Sequence, residues 1–182
     1  MAFLCLVSLL PLLTAFIVLT GDREEQEHNA KTGLWPIAAT FLGSLVTLLV
    51  VSTQGPITAQ LYDPASPTLA FPIGFHIDRL GAVMMVLISL VATLIYRYSL
   101  GYMYQDRGYG RYLGLLGITT FVLLCMVSSG NLVMLFVFWQ LISWLLFMLA
   151  HNHGHAATLD GASRTFTLQR LGDGVVLGDG DA

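Results

Sequence analysis

The chain has 182 residues, of which 55% are hydrophobic and 10% charged, and its mean hydropathy is +0.74. Soluble domains carry roughly a quarter charged residues, so this composition excludes a water-soluble globular domain. The net charge of −3 offers no basic surface for phosphates, which excludes nucleic acid as a partner.

Long uncharged segments predict an all-α, polytopic transmembrane protein. A helix needs roughly 20 mostly apolar residues to cross the ~30 Å hydrocarbon core of a bilayer. Five segments meet this requirement, at residues 3–20, 34–53, 80–96, 112–127 and 131–150. The first segment has no basic residue ahead of it and no small-residue cleavage site after it, which argues against a secretory signal peptide.

The connections between the predicted spans differ in character. Ser128-Ser129-Gly130-Asn131 interrupts the uncharged stretch 112–150, and small polar residues predict a tight turn there, so spans four and five form a helical hairpin. The loop at 54–77 contains four prolines, which predict an extended, irregular segment with a short β-hairpin. Cys5 and Cys125 lie inside apolar segments and are interpreted as small buried hydrophobic residues.

The basic residues predict the orientation of the chain. Seven of the eight Lys and Arg residues fall in the loop after span one, the loop after span three and the segment after span five, and only Arg79 departs from this pattern. Because basic loops stay in the cytoplasm, the amino terminus is predicted to lie outside. The expected location is the cell inner membrane, with a periplasmic amino terminus and the lipid bilayer as the immediate partner.

The carboxy-terminal end predicts an incomplete sixth span. Apolar residues recur after Arg164, but the sequence ends in Gly178-Asp179-Gly180-Asp181-Ala182, and glycine is a poor helix former. We interpret residues 1–178 as one membrane domain and 179–182 as a polar tail, either a natural solvated end or the end of a truncated chain.

Four sequence strings resemble one protein family. They are Phe75-His76-Ile77-Asp78-Arg79-Leu80, the pair Gly101-Tyr102-Met103-Tyr104 and Gly108-Tyr109-Gly110-Arg111-Tyr112, the run from Asn131 to Trp139, and Arg170-Leu171-Gly172-Asp173. In this order they resemble the amino-terminal third of the antiporter-like proton-translocating subunits. That family includes subunit 5 (chain L) of respiratory complex I, the large subunit of Na⁺/H⁺ antiporters, and DabB of inorganic carbon transporters.

The resemblance implies a proton-conducting membrane subunit. Family members have an outside amino terminus and a glutamate directly after a Trp on the fifth helix, which pairs with a lysine on the seventh. Here Gln140 follows Trp139, and an amide does not exchange protons near neutral pH. The departure favours the carbon-transporter branch, in which a soluble, zinc-containing carbonic-anhydrase-like subunit (DabA-like) is the partner. The alternatives are subunit 5 of a proton-pumping NADH:quinone oxidoreductase, with other membrane subunits as neighbours, and a truncated structural remnant.

Five residues are proton-path candidates, each with a structural alternative. Gln140 forms an interhelical hydrogen bond in the alternative interpretation. For Arg170 and Asp173 the structural alternative is a local i,i+3 ion pair. For Asp78 it is anchoring of a helix end at the membrane interface, beside Arg79. His151 begins an alternating run with His153 and His155 that collects protons, binds a metal or, in the favoured interpretation, is simply solvated.

The sequence shows no catalytic chemistry of its own. It contains no phosphate-binding glycine loop, no nucleophilic triad and no CxxC pair, so neither a cofactor nor a metal is predicted. Aromatic residues near the predicted span ends are interpreted as anchors at the bilayer interface. These residues are Trp35, Tyr96, Tyr98, Tyr102, Tyr104, Tyr109 and Tyr112.

Overall fold

The computed structural model describes residues 2–20, 26–60, 74–103 and 108–151, together with residues 164, 167, 168 and 171. Five helices and one β-hairpin make up these ranges. In chain order they are α1 (Ala2–Thr20), α2 (Gln26–Gln54), β1 (Ile57–Gln60), β2 (Gly74–Ile77), α3 (Arg79–Tyr102), α4 (Tyr109–Val127) and α5 (Leu132–His151).

The predicted all-α polytopic architecture is confirmed. Among the described residues, α2, α3, α4 and α5 are long and apolar enough to cross a membrane, and Val7–Thr20 of α1 forms a shorter apolar helix. The exact number of spans and the side of the amino terminus stay predictions. Of the predicted sixth span, Arg164, Thr167, Leu168 and Leu171 have helical backbone, and the remainder lies outside the described residues.

Helix α2 begins earlier than the hydropathy predicted. The expected span was 34–53, whereas α2 starts at Gln26. Glu27 and Lys31 form an i,i+4 ion pair on the added turns, and such pairs support a helix without adding apolar residues. The helix ends where Gly55 takes a φ of +91° and its N–H donates to the Val51 carbonyl at 3.1 Å. Glycine adopts this backbone conformation without strain, which explains the sharp end.

Contacts between helices define an antiparallel bundle. Thr14 Oγ1 in the second half of α1 donates to the Gly33 carbonyl near the start of α2, at 3.0 Å. Ser44 of α2 lies 2.7 Å from Ser89 of α3, oxygen to oxygen, while Tyr96 Oη further along α3 donates back to the Ala30 carbonyl at 3.0 Å. Helices α1, α2 and α3 therefore alternate in direction.

Two buried clusters form the core of the bundle. One lies toward the end that contains the α3–α4 connection and consists of Val18, Ala30, Ile37, Tyr96, Met103, Tyr109, Leu113 and Leu116. The other lies at the β-hairpin end and consists of Val51, Ile77, Ala82, Met85 and Leu124. Cys125 is also buried, as the sequence predicted.

The β-hairpin joins the turn between α4 and α5. Strands β1 and β2 pair antiparallel with Ile57 opposite Ile77. The His76 N–H donates to the Ser128 carbonyl at 2.9 Å, and the Gly130 N–H donates to the Gly74 carbonyl at 3.0 Å. The predicted hairpin and the predicted turn are both confirmed. They lie at the same end of the bundle, opposite the end that carries Lys31, Arg97 and Arg111.

Two of the predicted interface aromatics are core residues instead. Tyr96 is completely buried and Tyr109 is 6% exposed, because both pack into the cluster near the α3–α4 connection. Tyr98 and Tyr102 are 69% and 72% exposed, as expected for residues at a bilayer interface. An aromatic residue near a span end has the same sequence context in both cases, so only the packing distinguishes them.

Helices α1 and α4 approach each other closely at Gly117. A Cβ atom at this position would lie 2.9 Å from the Pro11 carbonyl oxygen and 3.2 Å from the Ala15 nitrogen. Small residues allow such backbone approaches between membrane helices. Any side chain at residue 117 must therefore push α1 away from α4.

We predict that Gly117→Ala lowers the free energy of unfolding in detergent micelles by ~1–3 kcal/mol, the usual cost of overpacking. Gly101→Ala is the matched control, because a Cβ at Gly101 meets nothing within 4 Å. Alanine favours helix over glycine, so the control keeps or raises stability. Equal midpoints for both variants in thermal unfolding would contradict the close approach.

Candidate functional site

Gln140 lies in the middle of α5, on the packed side of the helix. It is half-buried, while its neighbours Trp139 and Leu141 are each 42% exposed. Position 140 lies about 12 Å along the axis from the first residue of α5, at ~1.5 Å per residue. The side chain is thus at membrane depth and is turned away from the most exposed face.

The helical stripe that contains Gln140 is only partly polar. Ser143 is buried, and its hydroxyl donates to the Trp139 carbonyl at 3.0 Å. Phe136 and Phe147 continue the stripe at helical spacing and are half-buried. Within the described part of the chain, α5 packs mainly against α4. Because 112–150 contains no acid, base or histidine, this helical hairpin offers no titrating group beside Gln140.

Asp78 caps the amino terminus of α3. Its backbone is extended (φ −93°, ψ −178°), and its Oδ1 accepts a hydrogen bond from the Gly81 N–H at 2.6 Å. This is the usual geometry of an N-cap aspartate, which satisfies an otherwise unpaired helix N–H. Asp78 lies at the hairpin end, whereas Gln140 lies halfway along α5, so the two candidates occupy different depths. The cap gives Asp78 a structural role that does not require proton transfer.

Of the other three predicted site residues, His151, Arg170 and Asp173, only His151 belongs to the described residues. The backbone of His151 forms the last residue of α5, at the end of the bundle opposite the β-hairpin. Arg170 and Asp173 lie outside the described residues, as do His153 and His155. Across the residues that the structure describes, no group of three or more His, Cys, Asp or Glu side chains is placed to hold a metal ion.

Sequence reasoning did not single out a cluster of buried hydroxyls between α2 and α3. Ser44, Ser89, Thr93 and Tyr96 form hydrogen bonds between the two helices, and Thr40 and Thr47 are buried hydroxyls of α2; we call these six residues the α2–α3 hydroxyl cluster. Its members recur at i, i+4 and i+7 on each helix, a spacing that places each set on one face. That spacing is visible in the sequence and could have identified the cluster. Polar residues at helical spacing inside two apolar spans indicate a shared interface.

The hydroxyl cluster holds the helices together rather than forming an open polar path. The Ser44 hydroxyl lies 2.7 Å from the Phe41 carbonyl and 2.7 Å from the Ser89 hydroxyl, and either serine can donate between the two hydroxyls. Thr47 donates to the Gly43 carbonyl at 2.9 Å. Thr93 bonds both to its own helix and, at 3.4 Å, to the Ile37 carbonyl of α2. The bonds that cross between the helices, from Ser44 to Ser89, Thr93 to Ile37 and Tyr96 to Ala30, stabilise the pair by ~0.6 kcal/mol each.

Comparisons with known proteins agree with the motifs. A family described as "NADH-Ubiquinone oxidoreductase (complex I), chain 5 N-terminus" matches residues 65–113. NAD(P)H-quinone oxidoreductase subunit 5 of the Paulinella chromatophora chromatophore is 31% identical over 95% of this chain and 28% of the relative. Chain 5 of a Picosynechococcus species is 30% identical over the same shares, and the chloroplast subunit of Mesostigma viride is 37% identical over 58% of this chain and 17% of its own.

Apolar helices, antiparallel packing and these matches together define a multi-pass, all-α membrane protein. The resemblance seen in the motifs is confirmed: the chain is related to the amino-terminal portion of the antiporter-like family of complex I subunit 5. It spans about 28% of the length of the first curated relatives that it matches.

Two substitutions at Asp78 separate its cap from any proton-path role. We expect Asp78→Ala to destabilise the protein by ~1 kcal/mol, because the Gly81 N–H loses its acceptor. Asp78→Asn keeps an acceptor oxygen but cannot titrate, so it should retain nearly all of the stability in thermal unfolding. If Asp78→Asn keeps the stability and abolishes proton flux, then the carboxyl acts in transport as well as in capping.

Proposed function

We propose that residues 1–178 form the amino-terminal part of a proton-conducting membrane subunit in a complex I-type assembly, with other membrane subunits as neighbours. The observation that carries this proposal is the sequence similarity to quinone oxidoreductase subunit 5, which extends over 95% of the chain. The antiparallel apolar bundle supports it, because the proposed role requires helices that stay packed across the bilayer.

Gln140 is the residue at which conduction is best tested. It is half-buried at membrane depth, where an ionisable group is costly and is kept mainly for transport. An amide has nearly the same shape as a carboxylic acid, so this site accepts either group sterically. In the proposed function, Gln140 fills the relay position and holds hydrogen bonds without titrating.

A second candidate function is supported by the same residue. Since Gln140 occupies the place of the glutamate expected in the family, an inorganic carbon transporter of the DabB type fits the loss of a titrating group. Its partner is then a soluble, carbonic-anhydrase-like subunit. The quinone oxidoreductase matches favour the complex I-type assembly over this alternative. We place the protein in the cell inner membrane, with the amino terminus on the periplasmic side.

The function is tested by proton flux in proteoliposomes that contain the full chain together with the subunits that co-purify with it. We expect flux that a protonophore abolishes, and we expect Gln140→Glu to raise the rate at least about tenfold, since positioned acid–base groups contribute that much or more. The matched control is Gln54→Glu, the same chemical change at an exposed position.

The outcomes distinguish the candidates. Co-purified membrane subunits favour the complex I-type assembly, while a soluble zinc-containing partner favours the carbon transporter. Equal rates of proton flux for Gln140→Glu and Gln54→Glu would show that residue 140 takes no part in proton transfer. Absence of protonophore-sensitive flux in every sample would contradict proton conduction and favour the structural remnant.

The orientation is tested with cysteine labelling. Thr58 lies in β1 with an exposed side chain, and Arg164 is exposed after α5. We predict that a membrane-impermeant thiol reagent added to intact cells labels Thr58→Cys and leaves Arg164→Cys unlabelled until the membrane is opened. The unsubstituted chain measures the background from Cys5 and Cys125. The reverse pattern would place the amino terminus inside.

A further inference from the structure

The turn between α4 and α5 adds a third strand-like segment to the small sheet at the hairpin end. One edge of β2 pairs with β1, and the other edge pairs with residues 128–130 of the turn. The His76 N–H donates to the Ser128 carbonyl at 2.9 Å, and the Gly130 N–H donates to the Gly74 carbonyl at 3.0 Å. We call these two backbone hydrogen bonds the β2–turn clip.

On one side, the β2–turn clip is fixed to the bundle. Ile77, the last residue of β2, is buried in a cluster with residues of α2, α3 and α4. Asp78 follows directly and caps α3, because its Oδ1 accepts the Gly81 N–H at 2.6 Å. Strand β2 therefore has a defined position relative to these three helices.

On its other side, the β2–turn clip leads directly into α5. Asn131 alone separates Gly130 from Leu132, the first residue of the helix. The Asn131 carbonyl accepts the Leu135 N–H at 3.0 Å, and its Oδ1 accepts the Val133 N–H at 3.3 Å. The residue after the clip is thus already bonded into the first turn of α5, and no loop lies between them.

Helix α5 has few lateral contacts that could fix its orientation. Within the part of the chain that the structure describes, it packs mainly against α4. Of the residues in Leu132–Leu149, 11% are buried, compared with 56% in the corresponding segment of α4. Packing and hydrogen bonds decide how helices meet in a bilayer. A helix with little lateral packing therefore depends more on how its ends are held.

Gly130 provides the space that the β2–turn clip requires. A Cβ atom at residue 130 would lie 3.0 Å from the Gly74 carbonyl oxygen and 3.4 Å from the His76 Cβ. Among the described glycines only Gly55 has a positive φ, so the requirement at Gly130 is for space and not for a special backbone conformation. Because the nearest atom belongs to the backbone, a side chain at residue 130 must move the turn away from β2.

We propose that the β2–turn clip is a positioning device for α5 and that Gly130 is the positioning residue on which it depends. The clip sets the rotation of α5 about its axis, and with it the direction in which half-buried Gln140 faces. Without the clip, α5 still contacts α4 but takes up more than one orientation. The inference does not depend on proton conduction, because it concerns the orientation of the helix alone.

The proposal is tested by measuring distances between paired spin labels on the full chain in nanodiscs, with both native cysteines replaced by alanine. The test pair joins Leu87→Cys on α3 to Leu141→Cys on α5, and the reference pair joins Leu87→Cys to Leu13→Cys on α1. All three leucines are exposed, so the labels do not enter the core. Each pair is measured with Gly130, with Gly130→Ala and with Gly130→Val.

We expect one main distance for the test pair when Gly130 is present and a second distance in the variants, more populated with valine than with alanine. For Gly130→Val the ratio of the second population to the first should rise at least about fivefold, which corresponds to the loss of one backbone hydrogen bond of ~1 kcal/mol. The reference pair should keep its distance in both variants.

Two control variants separate positioning from a general loss of stability. Gly101→Ala adds a methyl group where nothing lies within 4 Å, so it should change neither pair. Gly117→Ala disturbs the packing of α1 against α4 without touching the β2–turn clip. It should therefore leave the test pair at one main distance.

Hydrogen exchange, read by mass spectrometry on peptides that contain β2 and the turn, reports independently whether the clip has opened. Faster exchange with an unchanged distance in the test pair would show that α5 keeps its orientation without the clip, and this result would overturn the proposal. Unchanged exchange in Gly130→Val would show that the clip does not depend on Gly130. Equal changes in both label pairs would indicate a loosened bundle, and either of these results also contradicts the proposal.

Discussion

The bundle depends on one constraint, which is that polar groups inside a bilayer must find hydrogen-bond partners within the protein. Helix α2 meets this constraint on both sides, through Thr14 and Gly33 toward α1 and through Ser44 and Ser89 toward α3. Lipid supplies no hydrophobic force between helices, so such bonds and close packing decide which faces meet. The hydrogen bonds of α2 set the register of α1, α2 and α3. The absence of a side chain at Gly117 allows α4 to pack closely against α1.

Hydropathy predicted the helices well because a membrane imposes a length and a composition on every span. It predicted the start of α2 poorly, since the Glu27–Lys31 ion pair extends the helix while ending the apolar run. The turn at Ser128 and the β-hairpin were readable from small polar residues and prolines. The hydrogen bonds between the turn and the β-hairpin could not be predicted, because these bonds join segments that are distant in the chain.

The proton-path residues stay predictions, although the structure places two of them, Gln140 and Asp78, in defined surroundings. The motif ending in Trp139 singled out Gln140, which is half-buried in the middle of α5. Asp78 was selected as an ionisable residue at a membrane edge, yet its Oδ1 caps α3. An aspartate directly before a helix is typical both of an N-cap and of an ionisable site at the membrane edge, and its charge alone does not distinguish the two roles.

The two ends of the bundle are built by different means. At the hairpin end, backbone hydrogen bonds join β2 to Ser128 and Gly130 in the turn that precedes α5. At the other end, Tyr98, Tyr102 and Tyr112 line a groove between α3 and α4. Gln140 lies between these ends and cannot titrate. Proton movement past this level therefore needs titrating groups other than those of α4 and α5, and the sequence offers none between Tyr112 and Ala150. In the proposed function, the ionisable residues that conduct protons must therefore lie outside residues 112–150.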